Sequence, residues 1–314
     1  MRSFADAHLD IAWASVHYHR DFVSGHPDSA LGLPNLLAGG VTLACATVFV
    51  AADEDEEHSP AGAAGAQLAY YEALPERSGG RVVWPADVMD VGTAQPGHKV
   101  CLIGLMEGCE PVESPEQMTD YYKRGIRVAG LTWNKRNRWA SGCMEESGGI
   151  TPEGFELVQE IDRLGMIHDV SHLSRRAVDD LLGAAHGRII ASHVGSDAVF
   201  NHPRNLTDEH LKGIAKLGGV VGLVFYSGIL GEGRATLDDL MRHLMHMLEV
   251  CGADHVGLGS DLDGGFGREE LPTGIRSAAD FPCIADALAE RGVDEADVDK
   301  ICGGNWRRVL TAVM

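Results

Sequence analysis

The feature that most constrains the fold is a regular alternation of short apolar runs with longer amphipathic stretches. Each run is rich in apolar and β-branched residues and carries almost no charge in its interior, which is typical of parallel strands covered on both faces. The stretches between the runs place apolar residues at helical spacing, and good N-cap residues such as Ser174 and Thr207 precede several of them. Strands are therefore predicted over residues 4–11, 41–50, 100–106, 126–132, 165–170, 188–193, 219–225 and 254–260.

Eight strands that alternate with helices over 314 residues predict an α/β chain folded as a (β/α)₈ TIM-type barrel. A doubly wound open sheet is the alternative. No repeat and no Pro-, Gly- or Ser-rich linker divides the chain, so residues 1–314 are predicted to form a single domain with inserted loops. Residues 51–96 exceed a plain crossover and are predicted to decorate the barrel. Helices are predicted over 61–74, 153–164, 174–185, 207–216 and 237–250.

Charge and cysteine usage exclude several classes of protein. Lys and Arg number 26 against 46 Asp and Glu, a formal net charge of −20 that disfavours nucleic-acid and membrane-surface partners. Seven scattered cysteines without a Cys-x-x-Cys pair indicate reduced thiols, and no signal-peptide core or membrane-spanning run is found. We therefore expect a cytoplasmic protein. The acidic run at 53–57 is expected to be a solvated loop at the barrel mouth; the alternative is a preference for basic substrates.

Histidines and carboxylates lie where the predicted strands end, which is where a barrel of this kind carries its chemistry. His8 and Asp10 share one side of the first strand, and Glu107 directly follows the third. His172 and His193 follow the fifth and sixth strands. Each residue alone is more typical of an ordinary hydrogen-bonded side chain. Together they predict a site for divalent metal ions.

Three imidazoles and two carboxylates exceed the needs of one zinc ion with an open position, so two metals with Glu107 as a bridge are predicted. Zn²⁺ suits these ligands, although other divalent transition metals also do. Two dications would lower the pKa of a shared water to about 7 or below and supply a hydroxide nucleophile. Asp261, after the last strand, is the candidate that passes a proton to the leaving amine, and with Asp263 it could instead form a turn.

Arg204 lies on the loop after the sixth strand and should stay near the barrel mouth. Its guanidinium group could clamp a substrate carboxylate in bidentate fashion. The alternative is a salt bridge to one of the many surface acids.

With these residues established, the chain resembles the membrane (renal) dipeptidase family, the dizinc dipeptidases of the amidohydrolase superfamily. The similarity runs nearly end to end. The resemblance implies a (β/α)₈ barrel, two zinc ions, a tendency to form homodimers, and hydrolysis of dipeptides with tolerance for a D-residue at the C-terminal position. The motifs that carry it are His8-Leu9-Asp10, Glu107-Gly108, Leu131-Thr132, Asp169-Val170-Ser171-His172, Ser192-His193, Arg204-Asn205, Gly259-Ser260-Asp261-Leu262-Asp263-Gly264 and Gly304-Asn305-Trp306-Arg307-Arg308-Val309.

The same resemblance implies a role for each site residue. His8 and Asp10 would hold one zinc, His172 and His193 the other, and Glu107 would bridge them. Arg204 would hold the substrate carboxylate, and Asp261 would carry the proton.

The chain departs from the mammalian members on the fourth strand. Those members have a histidine after Leu-Thr, thought to contact the substrate carbonyl oxygen, whereas this chain has Trp133 followed by Asn134. Trp133 can donate only its indole N–H and cannot become cationic. We expect Trp133 and Asn134 to line the substrate pocket. Asn134 or Asn137 could replace the missing contact, and the alternative is that the zinc alone suffices. His168 is interpreted as a strand residue and not as a ligand.

The sequence therefore predicts a zinc-dependent dipeptidase that acts on L-Xaa-L-Xaa and L-Xaa-D-Xaa dipeptides. An amidohydrolase acting on a lactone, a β-lactam or an N-acyl amino acid is the first alternative, because Trp133 changes the pocket. A non-catalytic metal-binding relative is the second, and the presence of both Arg204 and Asp261 argues against it.

Overall fold

A closed barrel of parallel strands forms the centre of the protein, seen in a computed structural model that describes residues 1–50, 59–145 and 147–314. Within these residues the strands are β1 (Phe4–Leu9), β2 (Val41–Phe49), β3 (Val82–Val83), β4 (Val100–Glu107), β5 (Ile126–Gly130), β6 (Ile167–Asp169), β7 (Arg188–Val194), β8 (Val221–Leu223) and β9 (Val256–Leu258). β2 pairs with both β1 and β4, and this pairing closes eight strands into a ring. The predicted (β/α)₈ barrel is confirmed, and the open sheet is excluded.

β3 is the one strand that the sequence did not predict. It pairs with the start of β4, where Val82 lies opposite Val100. β5 pairs with the same edge of β4, but further toward the end of that strand. Two residues are too short a run to show a strand pattern. β3 therefore lies outside the ring and forms part of the segment that decorates the barrel.

Helices separate the strands and cover the outside of the barrel. Ser174 accepts a hydrogen bond from the N–H of Ala177 at 3.1 Å, and Thr207 accepts one from the N–H of His210 at 3.3 Å, as predicted for N-caps. The helices are α1 (Ile11–His17), α2 (Leu33–Gly39), α3 (Pro60–Arg77), α4 (Val88–Thr93), α5 (Met118–Lys123), α6 (Pro152–Arg163), α7 (Arg175–Ala184), α8 (Asp208–Lys216), α9 (Leu237–Cys251), α10 (Pro282–Glu290), α11 (Glu295–Asp299) and α12 (Asn305–Leu310).

The C-terminal motif packs at the end of the barrel at which the strands begin, where Arg307 donates to the hydroxyl groups of Ser3 and Thr42. Trp306 of α12 is fully buried against the inner face of the barrel and donates its indole N–H to the carbonyl oxygen of Leu258 at 2.9 Å. Asn305 donates to the carbonyl oxygen of Val256 at 2.8 Å. The opposite end, where the strands finish, is thus the end left open for a functional site.

Three other sequence predictions concern membrane-spanning helices, the cysteines and the acidic run. In the described part of the chain, no helix is long and apolar enough to cross a bilayer. The seven cysteines are all free thiols, and most are buried. The acidic run at 53–57 lies outside the described residues.

Candidate metal centre

Three histidines converge on Glu107 at the open end of the barrel. The Nε2 atom of His172 lies 2.9 Å from Oε1 of Glu107, and that of His193 lies 3.5 Å from the same oxygen. The Nε2 atom of His8 lies 3.3 Å from Oε2, the other oxygen. Glu107 thus stands at the middle of the group, with its two oxygens facing different imidazoles.

Asp10 and Asp261 lie beside His8. Its Nε2 atom is 3.6 Å from Oδ2 of Asp10 and 3.8 Å from Oδ1 of Asp261. Ligand atoms of His8, Asp10 and Asp261 lie within 4.8 Å of one another, as do those of His8, Glu107 and His193. These six residues are called the carboxylate–imidazole cluster below: His8, Asp10, Glu107, His172, His193 and Asp261.

The hydrogen bonds of the imidazoles fit a bound cation. The Nδ1 atom of His172 lies 2.8 Å from Oδ1 of Asn134, which can only accept, so Nδ1 carries the hydrogen and Nε2 keeps a lone pair. The Nε2 atoms of His172 and His193 lie 2.8 Å apart. Among the described residues, the buried atoms His8 Nε2 and Asp10 Oδ2 have no hydrogen-bond partner. Nitrogen and carboxylate oxygen atoms that face each other in this way are a donor set for divalent transition metals.

The charges of the cluster favour the same conclusion. Burial disfavours the imidazolium form of His8, but Glu107, Asp10 and Asp261 outweigh it and raise its pKa to about 10. Burial raises the pKa of Asp10 to about 6 and that of Asp261 well above its usual range. Burial opposes ionisation of Glu107 too, yet His8 and His172 hold its pKa below the usual range. The cluster therefore buries several carboxylates with few positive charges beside them. A divalent cation would stabilise their ionised forms.

Local backbone conformation positions two members of the cluster. His172 and Asp261 have positive φ angles of 67° and 61°, in the left-handed region that His, Asp and Asn enter more readily than most residues. Asp263 has the same φ of 61° but lies outside the cluster, where it accepts hydrogen bonds from the Ser29 hydroxyl and from the N–H of Ala30. Of the predicted Asp pair, Asp261 thus reaches the cluster and Asp263 anchors a neighbouring loop.

A cleft of about 720 Å³ opens above the cluster, and the predicted substrate-binding residues line it. Arg204 is buried and donates from Nη2 to the carbonyl oxygen of His193 at 3.1 Å. It forms no ion pair with any acid in the described ranges. Trp133 lies in the cleft wall, with its ring centroid 5.3 Å from that of Phe49 and 5.7 Å from that of His172.

Asn134 and Asn137 have different roles. Asn134 lines the cleft, but its side-chain oxygen is the partner of His172, so it also supports a cluster residue. Asn137 holds the loop instead, where its Oδ1 accepts from the N–H of Trp139 at 2.8 Å. His168 lies in β6 with its Nε2 atom 2.7 Å from Oδ1 of Asp162, as expected of a strand residue.

The sequence did not reveal several residues of the site. Thr47 on β2 donates from its hydroxyl to Oδ1 of Asp10 at 2.6 Å. Trp13, Tyr226 and Phe266 add aromatic surface to the cleft. Single aromatic and hydroxyl residues carry no recognisable spacing, so no sequence signal marked these four.

The family model of membrane dipeptidases, peptidase family M19, matches residues 2–314. The chain belongs to this family. The resemblance seen in the sequence is thereby confirmed, and the match identifies the protein as a metal-dependent hydrolase of the dipeptidase type.

Two relatives of the chain are similar in sequence, and one of them is named a dipeptidase. An uncharacterized protein from the pqqA 5′ region of Klebsiella pneumoniae is 31% identical over 260 residues, which are 79% of this chain and 94% of the relative. An uncharacterized dipeptidase of Schizosaccharomyces pombe is 33% identical over 221 residues, 67% of this chain and 52% of the relative. The chain thus spans about half the length of this yeast relative.

Two solved structures share the whole architecture. Dipeptidase AC, a metallopeptidase of family M19, is 27% identical with a TM-score of 0.86, and 98% of each chain is covered. A metallopeptidase from Rhodobacter sphaeroides, solved with a phosphinate mimic of the dipeptide L-Ala-D-Ala, is 24% identical with a TM-score of 0.90, covering 100% of this chain and 99% of that one. At this identity the second likeness concerns the fold alone.

Proposed function

We propose that the protein hydrolyses the peptide bond of dipeptides with two divalent metal ions, preferably Zn²⁺, held by the carboxylate–imidazole cluster. The observation that carries this proposal is that the two carboxylate oxygens of Glu107 face different histidines. Its Oε1 faces His172 and His193, while its Oε2 faces His8, which has Asp10 beside it. One carboxylate between two separate ligand sets fits a bridge between two ions.

The metals, when bound, would polarise the substrate carbonyl and activate a water molecule. Asp261 is placed to handle the proton that amide cleavage requires, because an amine departs only when it is protonated. Asp261 lines the cleft, its Oδ1 lies 3.8 Å from His8 Nε2, and burial raises the pKa of its carboxyl group. A carboxylate in this position can accept a proton and release it to the leaving amine.

Arg204 explains why a dipeptide suits this cleft better than a lactone. Its guanidinium group is buried, lines the cleft, and has no carboxylate partner within the described part of the chain. A buried guanidinium group without an ionic partner is costly, and the free carboxylate of a dipeptide would compensate it. Lactones have no such group.

Replacing Arg204 with methionine should raise KM for dipeptides by about 10- to 100-fold, because a charge-assisted contact is lost. C-terminally amidated forms of the same dipeptides should be affected much less. Steady-state kinetics on matched acid and amide pairs measure the difference. Arg175→Met, which removes an exposed arginine paired with Asp197, is the control and should change neither constant. An equal rise in KM for acids and amides would contradict the clamp.

The decisive test of the function is a substrate panel with zinc-loaded protein. It contains L-Xaa-L-Xaa and L-Xaa-D-Xaa dipeptides, N-acyl amino acids, lactones and β-lactams. We expect dipeptides of both series to be hydrolysed with the highest kcat/KM. Fast lactone turnover with dipeptides at background would support the amidohydrolase alternative, which Trp133 in the cleft wall favours. Two bound metal ions without hydrolysis of any compound would support the non-catalytic alternative.

A further inference from the structure

One buried hydroxyl group lies directly beneath the carboxylate–imidazole cluster. The Oγ atom of Ser192 is 2.8 Å from Nδ1 of His193 and 3.3 Å from Nδ1 of His8. All three residues are fully buried, and the two imidazole rings are tilted by 39° with centroids 3.7 Å apart. Ser192 therefore contacts one histidine from each of the two ligand sets that Glu107 separates.

The direction of these hydrogen bonds follows from Asp169. Its Oδ2 atom lies 2.5 Å from the Ser192 hydroxyl, and its Oδ1 atom accepts from the N–H groups of Ser171 and Ser192 at 3.0 and 2.8 Å. A carboxylate only accepts, so the single hydroxyl hydrogen of Ser192 points to Asp169. The lone pairs of Ser192 are then left to accept from the Nδ1–H groups of His193 and His8.

A second serine completes the arrangement. The Oγ atom of Ser171 lies 3.2 Å from that of Ser192 and accepts from the backbone N–H of His193 at 3.1 Å. Ser192 is thus held by Asp169 and Ser171 on one side and faces the two imidazoles on the other. The histidines, with Nδ1 donating, can only present Nε2 lone pairs to the cluster.

We propose that Ser192, oriented by Asp169, is a positioning residue that sets the tautomer and ring orientation of His8 and His193 together, and so couples the two metal positions. This inference rests on the dinuclear assignment in the proposed function. It separates Ser192 from Asn134, whose oxygen supports His172 alone. Loss of the Ser192 hydroxyl should weaken binding of both ions, not of one.

The test is an equilibrium titration of metal-depleted full-length protein with Zn²⁺ in competition with a chromophoric chelator. Ser192→Ala should weaken both binding steps by about 10- to 100-fold, the usual effect of removing a group that orients a metal ligand. Ser192→Thr, which keeps the hydroxyl group, should restore most of the affinity. Ser196→Ala is the matched control, because Ser196 is a buried serine shortly after His193 whose hydroxyl has no partner among the residues described.

Asp169→Asn tests whether Asp169 acts by orienting the Ser192 hydroxyl group or only by filling space beside it. The asparagine keeps the shape of Asp169, but its amide would donate to Ser192 Oγ, and the hydroxyl hydrogen would then turn toward Nδ1 of His193. That favours the tautomer of His193 with hydrogen on Nε2, and a protonated Nε2 atom cannot bind a metal. Because the hydroxyl group carries one hydrogen, His8 keeps its tautomer. We therefore expect weaker binding of the ion beside His172 and His193 and an altered absorption spectrum of the Co²⁺-loaded protein, with thermal unfolding of the metal-depleted protein little changed.

Several outcomes would overturn the inference. Wild-type affinity in both Ser192→Ala and Asp169→Asn would show that the hydroxyl group does not position the ligands, and loss of one ion only in Ser192→Ala would remove the coupling. If Ser192→Ala does not fold, Ser192→Thr and Asp169→Asn decide the matter by the same titration. A wild-type protein that binds fewer than two ions would instead contradict the proposed function, whereas two ions with dipeptide hydrolysis and unaffected variants would overturn this inference alone.

Discussion

Glu107→Ala is expected to lose both metal ions and to lower kcat/KM for dipeptides by about 10⁴-fold or more, since the site would lose both its bridging ligand and its activated water. The two carboxylate oxygens of Glu107 face His172, His193 and His8 at 2.9 to 3.5 Å, and no other carboxylate in the described residues reaches all three. Removing it leaves three buried imidazoles without a common anionic partner. Metal analysis after dialysis, together with kinetics in added zinc, measures both effects.

Glu110→Gln is the matched control for this experiment. Glu110 is a second carboxylate on the turn after β4, but it bonds to Asn137 at 3.0 Å and lies outside the cluster. Burial raises the pKa of Glu110, and glutamine keeps the shape of this side chain without its charge. The control should keep both ions and most activity. Full activity and metal content in Glu107→Ala would contradict the proposed centre.

Asp261→Asn is expected to lower kcat by about 10²- to 10⁴-fold, the usual contribution of a positioned acid–base group, while both metals and KM are largely retained. Asparagine is the informative replacement because Asp261 has a φ of 61°, which asparagine tolerates and alanine does not. The amide cannot accept and release the proton that the leaving amine needs. Single-turnover and steady-state kinetics, with metal analysis, measure the expected separation of kcat from binding.

Asp263→Asn serves as the control, since Asp263 has the same φ of 61° two residues further along the same loop. It bonds to Ser29 and Ala30 and not to the cluster, so kcat should stay close to the wild-type value. A normal kcat in Asp261→Asn would exclude the proton carrier. Loss of one metal ion in that variant would show instead that Asp261 is a ligand, a role that its position beside His8 and Asp10 also allows.

Much of the fold could be predicted because the pattern that encodes it is local. Continuous apolar runs indicate strands covered on both faces, and Ser174 and Thr207 cap helices through side-chain bonds that span three residues. β3 was missed because Val82 and Val83 form a strand only through pairing with β4. The strands predicted over 219–225 and 254–260 are longer than β8 and β9, because pairing with the neighbouring strands covers only three residues of each.

The pattern of apolar runs places these histidines and carboxylates at the ends of strands, and a closed barrel brings all such ends to one rim. That is why the sequence alone groups His8, Glu107 and His193, although they are far apart along the chain. The contacts that hold these groups become visible only in the folded protein. The hydroxyl of Ser192 beneath two imidazoles and the oxygen of Asn134 behind His172 depend on which side chains meet across neighbouring strands and loops. Such contacts arise from strand register and loop path, which no local spacing of residues encodes.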